Sequence, residues 1–274
     1  MRTRLLAGSA AGLVLALTGA LPAAAADGDA HLSVLHGVPG LTVDVYVNGT
    51  LTLDNFAPGT LAGPLDLPAG TYTVAITAAD AADASAPAIG PVDLPLAAGM
   101  SYTAVAHLDA AGKPTATLFT NDISKTAPGQ GRLTVRHTAA APAVDVLAGG
   151  TAVISGLTNP MEKVLNLPAG TVSAAVAAAG TTTPVIGPAD VAVTEGTNTI
   201  VYAWGSLADG NLKLAVQTID GLHSAPSGVP SGELGLADTS SARGPWMVGG
   251  ALLVAAAGAL ALRRRTVAPV RVTE

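Results

Sequence analysis

Short runs of alternating apolar and polar residues, separated by Gly, Pro and Asp, fill the middle of this 274-residue chain. Such runs are typical of β-strands that have one buried face and one exposed face. Between residues 31 and 122 the pattern predicts seven or eight short strands, at 32–36, 43–47, 61–67, 72–78, 88–94, 100–108 and 115–120, with a further one after Asn48-Gly49. So many strands in so short a segment predict a small β-sandwich.

The dipeptide Asn48-Gly49 lies between the alternating runs VDVYV and TLTLD. Both residues tolerate the positive φ that a two-residue hairpin turn needs, so they form a strong hairpin signal. Asn48-Gly49-Thr50 also matches the acceptor pattern for N-glycosylation. We interpret the dipeptide as a turn, because the flanking strands already explain it.

The pentapeptide LPAGT occurs twice, at 67–71 and at 167–171. Between the strands that flank each copy we expect a Pro-Gly turn, with Gly70 at positive φ. LSVLH at 32–36 likewise matches LTVRH at 133–137. The repeat predicts two tandem sandwiches, at 31–122 and 131–220, each with its own core. Few contacts are expected to cross the linker at 123–130.

Both ends of the chain differ from this pattern. Residues 1–26 begin with two arginines, continue with an apolar stretch and end in Ala-Ala-Ala, which predicts a cleaved secretory signal peptide. Residues 221–245 are rich in Ser, Gly and Pro and predict a flexible stalk.

Residues 246–262 are uncharged and mostly apolar, and they predict one transmembrane helix. The three arginines that follow, Arg263, Arg264 and Arg265, are the expected stop-transfer signal. They orient the helix with the basic tail 263–274 in the cytoplasm and the sandwiches outside, so the membrane is an expected partner.

A possible sorting signal precedes this helix at Leu236, Ala237, Asp238, Thr239 and Ser240. These residues resemble the LAxTG pentapeptide that certain sortases of Gram-positive bacteria cleave, with Ser240 in place of the Gly. Attachment to the cell wall is therefore one alternative. We favour a plain single-pass anchor, because the apolar segment and the arginines suffice for it.

The strand ending in His36, the V-D-V run, the N-G hairpin, LPAGTYTV at 67–74 and AAGMSYTAVA at 97–106 together resemble the domain of unknown function 4397. The resemblance covers both repeats and is clearer in the first. It implies an extracytoplasmic β-sandwich, often duplicated, of bacterial surface proteins. It implies no catalytic residues.

The charge of the segment between the two ends limits the classes of partner that the protein can bind. From residue 27 to residue 242 there are 18 Asp and Glu against 6 Lys and Arg, a balance of −12. Such a surface repels phosphate backbones, so we expect no nucleic-acid partner. The chain has no Cys, which excludes disulfides, thiolate metal ligands and a Cys nucleophile.

Two histidines recur at the same place in the repeats, His36 and His137, each eight residues before an aspartate, Asp44 or Asp145. A His–Asp pair can hold a metal or act in acid–base chemistry. Strand parity places the His and the Asp on different faces, so we favour a structural, half-buried histidine in each repeat. No metal, cofactor or catalytic residue is predicted.

Exposed aromatic residues are the usual platforms for sugars, and Tyr46 and Trp204 are the candidates here. Neither is repeated in the other unit, which favours packing roles over a duplicated sugar site.

The sequence thus predicts an all-β protein with two tandem small β-sandwiches, immunoglobulin-like or transthyretin-like, plus a signal peptide and a transmembrane helix. The function we expect is non-enzymatic display of an adhesive or ligand-binding module on a Gram-positive cell surface, with an unidentified protein or glycan as partner. The alternative is a sensing ectodomain that signals through the single span.

Overall fold

The computed structural model describes residues 28–224, and this part of the chain contains sixteen β-strands and no helix. The first eight strands are β1 (Ala30–His36), β2 (Val43–Val47), β3 (Thr50–Phe56), β4 (Leu61–Leu67), β5 (Gly70–Ala78), β6 (Ile89–Leu96), β7 (Ser101–Leu108) and β8 (Pro114–Asn121). The second eight are β9 (Gln130–Ala140), β10 (Val144–Ala148), β11 (Thr151–Leu157), β12 (Glu162–Pro168), β13 (Gly170–Ala178), β14 (Pro184–Val193), β15 (Asn198–Ser206) and β16 (Lys213–Ile219).

The strands form four sheets of four strands each. In the first half the orders are β4-β1-β7-β8 and β3-β2-β5-β6, and in the second half they are β12-β9-β15-β16 and β11-β10-β13-β14. Strands β1 and β7 are parallel, as are β9 and β15, and the other pairs are antiparallel. The two halves therefore repeat one strand order, which confirms the predicted duplication and the all-β sandwich architecture.

The hairpin between β2 and β3 has the predicted turn. Asn48 and Gly49 both have positive φ, 49° and 77°, as a two-residue turn of this kind requires. The Asn48 side chain also accepts a hydrogen bond from the Thr73 amide at 2.9 Å. In the second sandwich Gly149 and Gly150 take the same place with φ of 56° and 83°.

The LPAGT segments differ from the expectation. They connect strands of opposite sheets, β4 to β5 and β12 to β13. Each segment therefore passes from one sheet of its sandwich to the other and does not close a hairpin within one sheet. Gly70 and Gly170 open β5 and β13 and are not among the positive-φ glycines of the described residues. The expected positive φ at Gly70 is wrong, because Gly70 is the first residue of β5 and its backbone is already extended.

The expectation that few contacts cross the linker is also wrong. Strands β7 and β15 are buried at every residue, whereas a sheet with one solvent-facing side shows alternating burial. The sheet that contains β7 and the sheet that contains β15 pack against each other. Each uses the face that points away from the core of its own sandwich. We call the apolar side chains between them the interface cluster: Leu35, Val105, Phe119, Ile200 and Tyr202.

Within residues 28–224, the structure contains no helix that is long and apolar enough to cross a membrane. The predicted signal peptide, the transmembrane segment 246–262 and nearly all of the stalk lie outside the described residues.

Candidate functional site

The candidate site is an apolar cavity of about 200 Å³ between the two sheets of the first sandwich. Residues of all eight strands of this sandwich contribute to its wall. They are Leu32, Val34, Val45, Val47, Thr52, Leu53, Leu65, Leu67, Val74, Ile76, Ile89, Val92, Leu94, Ala104, Val105, Ala106, Ala116 and Thr117. A core of this size normally leaves few voids larger than a water molecule, so the first sandwich is underfilled.

The cavity extends to the edge of the sandwich formed by β3 and β4. These are the outer strands of their sheets on the same side. Thr52 on β3 is exposed, and Leu53 and Leu65 are half-buried, although all three line the cavity. An apolar molecule can therefore reach the interior from this side without breaking a pair of hydrogen-bonded strands.

Only two lining residues carry a polar side chain, Thr52 and Thr117, and both hydroxyls already have partners. The Thr52 hydroxyl donates to the Thr50 carbonyl at 3.1 Å. The Thr117 hydroxyl lies 2.9 Å from Nε2 of His107. The cavity wall therefore has no charged group and no polar side chain that lacks a partner.

The equivalent space in the second sandwich is divided into smaller cavities of about 130 Å³ and about 30 Å³. The pairing register identifies the equivalent residues, because Ala106 pairs with His36 and Ala203 with His137. By this register Val201 and Leu214 stand where the first sandwich has Ala104 and Ala116. Both larger side chains line the smaller of the two cavities.

At another pair of equivalent positions, the first sandwich has the larger residue. Ala174 stands at the position of Val74, and it lines both of the smaller cavities. The two interiors therefore differ in which of the equivalent positions carry the larger side chains. Val201 and Leu214 occupy the region that Ala104 and Ala116 leave open in the first sandwich.

The recurring histidines are fully buried, where the sequence predicted half-buried ones, and they bind the backbone. Nε2 of His36 lies 2.6 Å from the Leu41 carbonyl, and Nε2 of His137 lies 3.0 Å from the Pro142 carbonyl. Both side chains are about 1% exposed. Burial lowers the pKa of His36 and of His137, which opposes protonation, although the carbonyl bonds act in the other direction.

The paired aspartates also bind backbone amides. Asp44 accepts a hydrogen bond from the Asn55 amide at 2.8 Å. Asp145 accepts from the Gly156 and Gly180 amides, both at 2.8 Å, and these bonds lower the pKa of Asp145. The arrangement supports the structural interpretation of the His and Asp positions, because each side chain binds the backbone of a neighbouring loop, turn or strand.

Of the two aromatic candidates, Trp204 is not available as a platform. It is 4% exposed, and it packs against Gly37 and Gly59 of the first sandwich. A Cβ atom at Gly59 would lie 2.9 Å from Cζ2 of Trp204, and Gly59 has a φ of 81°. Trp204 therefore has the packing role that the sequence favoured, and it packs where the second sandwich meets the first. Tyr46 is half-buried.

A buried polar network beside the interface cluster is a feature that sequence reasoning missed. Arg136, 1% exposed, donates to Glu162 at 2.7 Å and to the Tyr202 hydroxyl at 2.7 Å. Tyr202 in turn donates to Gln217 at 2.5 Å, and burial raises the pKa of Tyr202.

This network crosses from one sandwich to the other. The Thr103 hydroxyl of the first sandwich donates to Gln217 at 3.0 Å, and Gln217 donates to Ser33 at 3.1 Å. The guanidinium of Arg136 also lies over the ring of Phe119, 4.4 Å from its centroid. The signal that could have revealed the contact is the absence of Asp, Glu, Lys and Arg from both faces of 101–108 and 198–206.

The sorting pentapeptide Leu236, Ala237, Asp238, Thr239 and Ser240 and the arginines Arg263, Arg264 and Arg265 lie outside the described residues. Within residues 28–224, no group of three or more His, Asp or Glu side chains is arranged to hold a metal ion.

Comparison with known proteins gives one match to a family. The model of the family described as "Domain of unknown function (DUF4397)" matches residues 30–147 and 138–229, which together make up more than half of the chain. A search of curated proteins finds no significant match.

Proposed function

We propose that this chain, which belongs to the family of the domain of unknown function DUF4397, is a non-enzymatic ligand-binding protein displayed on the cell surface. Its head consists of the two sandwiches, of immunoglobulin-like or transthyretin-like type. The signal peptide 1–26 directs export, and the helix 246–262 anchors the head to the membrane of a Gram-positive bacterium.

The observation that carries the proposal is the cavity of the first sandwich. Unfilled volume in a core lowers stability by about 24 cal/mol per Å³, so a cavity of this size is unfavourable by a few kcal/mol. The second sandwich has the same strand order and fills the corresponding region with Val201 and Leu214. Since this strand order does not require one continuous cavity of this size, a binding role is the best reason for it.

The charge of the head supports display outside the cell. An excess of carboxylates keeps an exported domain soluble and disfavours nucleic acids as partners. The stalk 221–245 would hold the head away from the membrane surface.

A second candidate is a sensing ectodomain, and one residue favours it. Val105 lines the cavity and also belongs to the interface cluster. Occupation of the cavity would thus act on β7, the strand that contacts the second sandwich, and this sandwich precedes the predicted span in the chain.

Cysteine labelling on intact cells tests the display, because the chain has no Cys of its own. Thr71, at the start of β5, is exposed. We expect Thr71→Cys to react with a membrane-impermeant maleimide on intact cells, and Val267→Cys in the predicted tail to react only after lysis. The cysteine-free chain is the blank. Labelling of Thr71→Cys only after lysis would contradict display.

The mode of anchoring needs a separate experiment. Deleting 246–274 should release the protein into the medium, because the predicted span and stop-transfer arginines are lost. Thr239→Ala should leave a plain membrane anchor unchanged, whereas attachment by a sortase requires the threonine carbonyl. Release of the wild type only by a muralytic enzyme, together with loss of this attachment in Thr239→Ala, would favour the cell wall.

A further inference from the structure

We propose that the cavity of the first sandwich binds a small, uncharged, hydrocarbon-like molecule, such as a single aromatic ring or a short alkyl chain. The proposal rests on the proposed ligand-binding function and names the chemical class of the ligand. It assigns the site to the first sandwich, whose cavity is larger than either cavity of the second.

The size of the cavity sets the size of the ligand. The volume is about 200 Å³. Apolar cavities of about 150 Å³, lined by aliphatic and aromatic side chains, stay dry and bind benzene or xenon. The cavity is smaller than the roughly 300–1,000 Å³ of sites for drug-sized molecules or cofactors, so such ligands are too large to be enclosed.

The chemistry of the wall sets the ligand class. Sixteen of the eighteen lining residues are Ala, Val, Leu or Ile, and the hydroxyls of Thr52 and Thr117 are engaged as described. A ligand with a charge or with several polar groups would lose its hydration without gaining partners, which is strongly unfavourable. A hydrocarbon has no polar groups whose hydration would be lost, and it gains van der Waals contacts with the wall.

The repeat explains why one sandwich carries the site. At the equivalent positions Ala104 and Ala116 leave space that Val201 and Leu214 occupy in the second sandwich. Placing the second repeat's residue in the first, as Ala116→Leu or Ala104→Val, therefore fills the cavity with a side chain that this strand order already accommodates. These two variants are matched tests of the site.

The experiment uses the full-length chain in lipid nanodiscs with labelled Ala, Val, Leu and Ile methyl groups, and benzene as the probe. We expect nuclear Overhauser contacts between benzene and the methyl groups of Ala104 and Ala116. These contacts are site-specific, so benzene dissolved in lipid does not contribute to them. Benzoate, which has the same ring with a carboxylate, should give none.

Ala116→Leu should weaken benzene binding by about tenfold or more, equivalent to at least 1.4 kcal/mol. The methyl spectrum of the second sandwich should stay unchanged, which shows that the fold is retained. Ala104→Val serves the same purpose if Ala116→Leu does not fold, and the wild-type contacts decide the matter if neither variant folds.

Three results would overturn the proposal: no contact between benzene and these methyl groups in the folded wild type, equal contacts with benzoate, or undiminished binding in a folded Ala116→Leu protein. None of them bears on the labelling of Thr71→Cys on intact cells. A failure of the ligand class is thereby distinguished from a failure of surface display.

Discussion

The two sandwiches share one strand order and one hairpin geometry, yet they differ in their interiors. The first encloses a single cavity of about 200 Å³, and the second divides the equivalent space into cavities of about 130 and 30 Å³. Turn residues and alternation determine the hairpin turns and the face that each residue of a strand presents, and these are local features. The filling of the core depends on side chains from many strands. It can therefore differ between the two repeats while the fold stays the same.

The outer faces of the two sandwiches differ in a complementary way. The first contributes Leu35, Val105 and Phe119 to the interface cluster, and the second contributes Ile200 and Tyr202 together with Arg136 beside them. The two repeats are therefore not equivalent, independent domains. Each provides the surface that the other one buries.

Separating the sandwiches should have the largest effect. Each buried apolar side chain of the interface cluster contributes about 1.5–3 kcal/mol, so the cluster as a whole is comparable with the total stability of a small domain. A cut within the linker 123–130 should give fragments that melt far below the intact chain or show no cooperative transition. Calorimetry of the two fragments measures this.

Mixing the two fragments in equal amounts is the control. If the interface provides the lost stability, the mixture should recover a cooperative transition. Two fragments that each melt at the temperature of the intact chain would show that the interface contributes little, as the sequence alone had suggested.

Local features of the chain were predictable from the sequence. Asn48-Gly49 was identified correctly because a two-residue turn needs positive φ at both positions, a requirement that depends on no distant residue. Gly70 was misassigned because the turn chemistry of Pro-Ala-Gly does not reveal whether the flanking strands share a sheet.

The interface and the cavity were not predictable. Trp204 and Arg136 are buried by residues of another sandwich or another strand, which period-two alternation within one strand cannot show. The cavity depends on Ala116 facing a region that several other strands fail to fill. A comparison of Ala116 with its repeat partner Leu214 would have been a signal, but it needs the pairing register.

Breaking the polar network of the interface should have the second largest effect. Arg136→Met leaves Glu162 without its cation and the Tyr202 hydroxyl without its donor. We expect a loss of about 3 kcal/mol, at the lower end for buried pairs because the Glu162 side chain keeps 32% exposure. Urea denaturation measures it.

Lys163→Met, at an exposed position beside Glu162, is the matched control and should change stability by less than about 0.5 kcal/mol. The double variant Arg136→Met with Glu162→Gln should recover part of the loss, since it removes the unpaired carboxylate. Equal stability of Arg136→Met and the wild type would contradict a structural role for the network.

Leu214→Ala sharpens the comparison of the two interiors, because it gives the second sandwich the residue of the first. It should lower the free energy of unfolding by about 2 kcal/mol, near the lower limit for such truncations, since Leu214 is only partly buried. Val216→Ala on the same strand, at a side chain that is 54% exposed, should cost much less. Equal losses in the two variants would mean that Leu214 does not fill the second core.

The buried histidines distinguish the sandwiches further, since His36 and His107 belong to the first and His137 alone to the second. Burial lowers the pKa of each below its ordinary value. The unfolded chain then binds more protons, so stability should fall as the pH drops below about 6.5, by up to about 1.4 kcal/mol per pH unit for each histidine.

The aspartates with a lowered pKa, Asp83, Asp122 and Asp145, lose their contribution only near and below a pH of about 4. The interval between about 4 and 6.5 therefore reports the histidines. Urea melts at several pH values measure the slope, and His137→Gln should reduce it. A stability that is constant from pH 7.5 to 5 would show that the histidines are protonated equally in both states.

The smallest expected effect is that of Ala116→Leu on stability. The larger side chain fills part of the cavity, and cavity-filling substitutions commonly raise the free energy of unfolding by about 0.5–2 kcal/mol. We expect the lower end, about 0.5 kcal/mol, because Ala116 is half-buried and some of the new surface will stay exposed. Ala152→Leu, at an exposed position of β11, is the control for the intrinsic preference of Leu over Ala in a strand. A loss of 1–3 kcal/mol in Ala116→Leu, the usual result of overpacking, would mean that the space beside Ala116 is already filled. The contrast between one continuous cavity in the first sandwich and a divided space in the second would then fail at the residue on which it most depends.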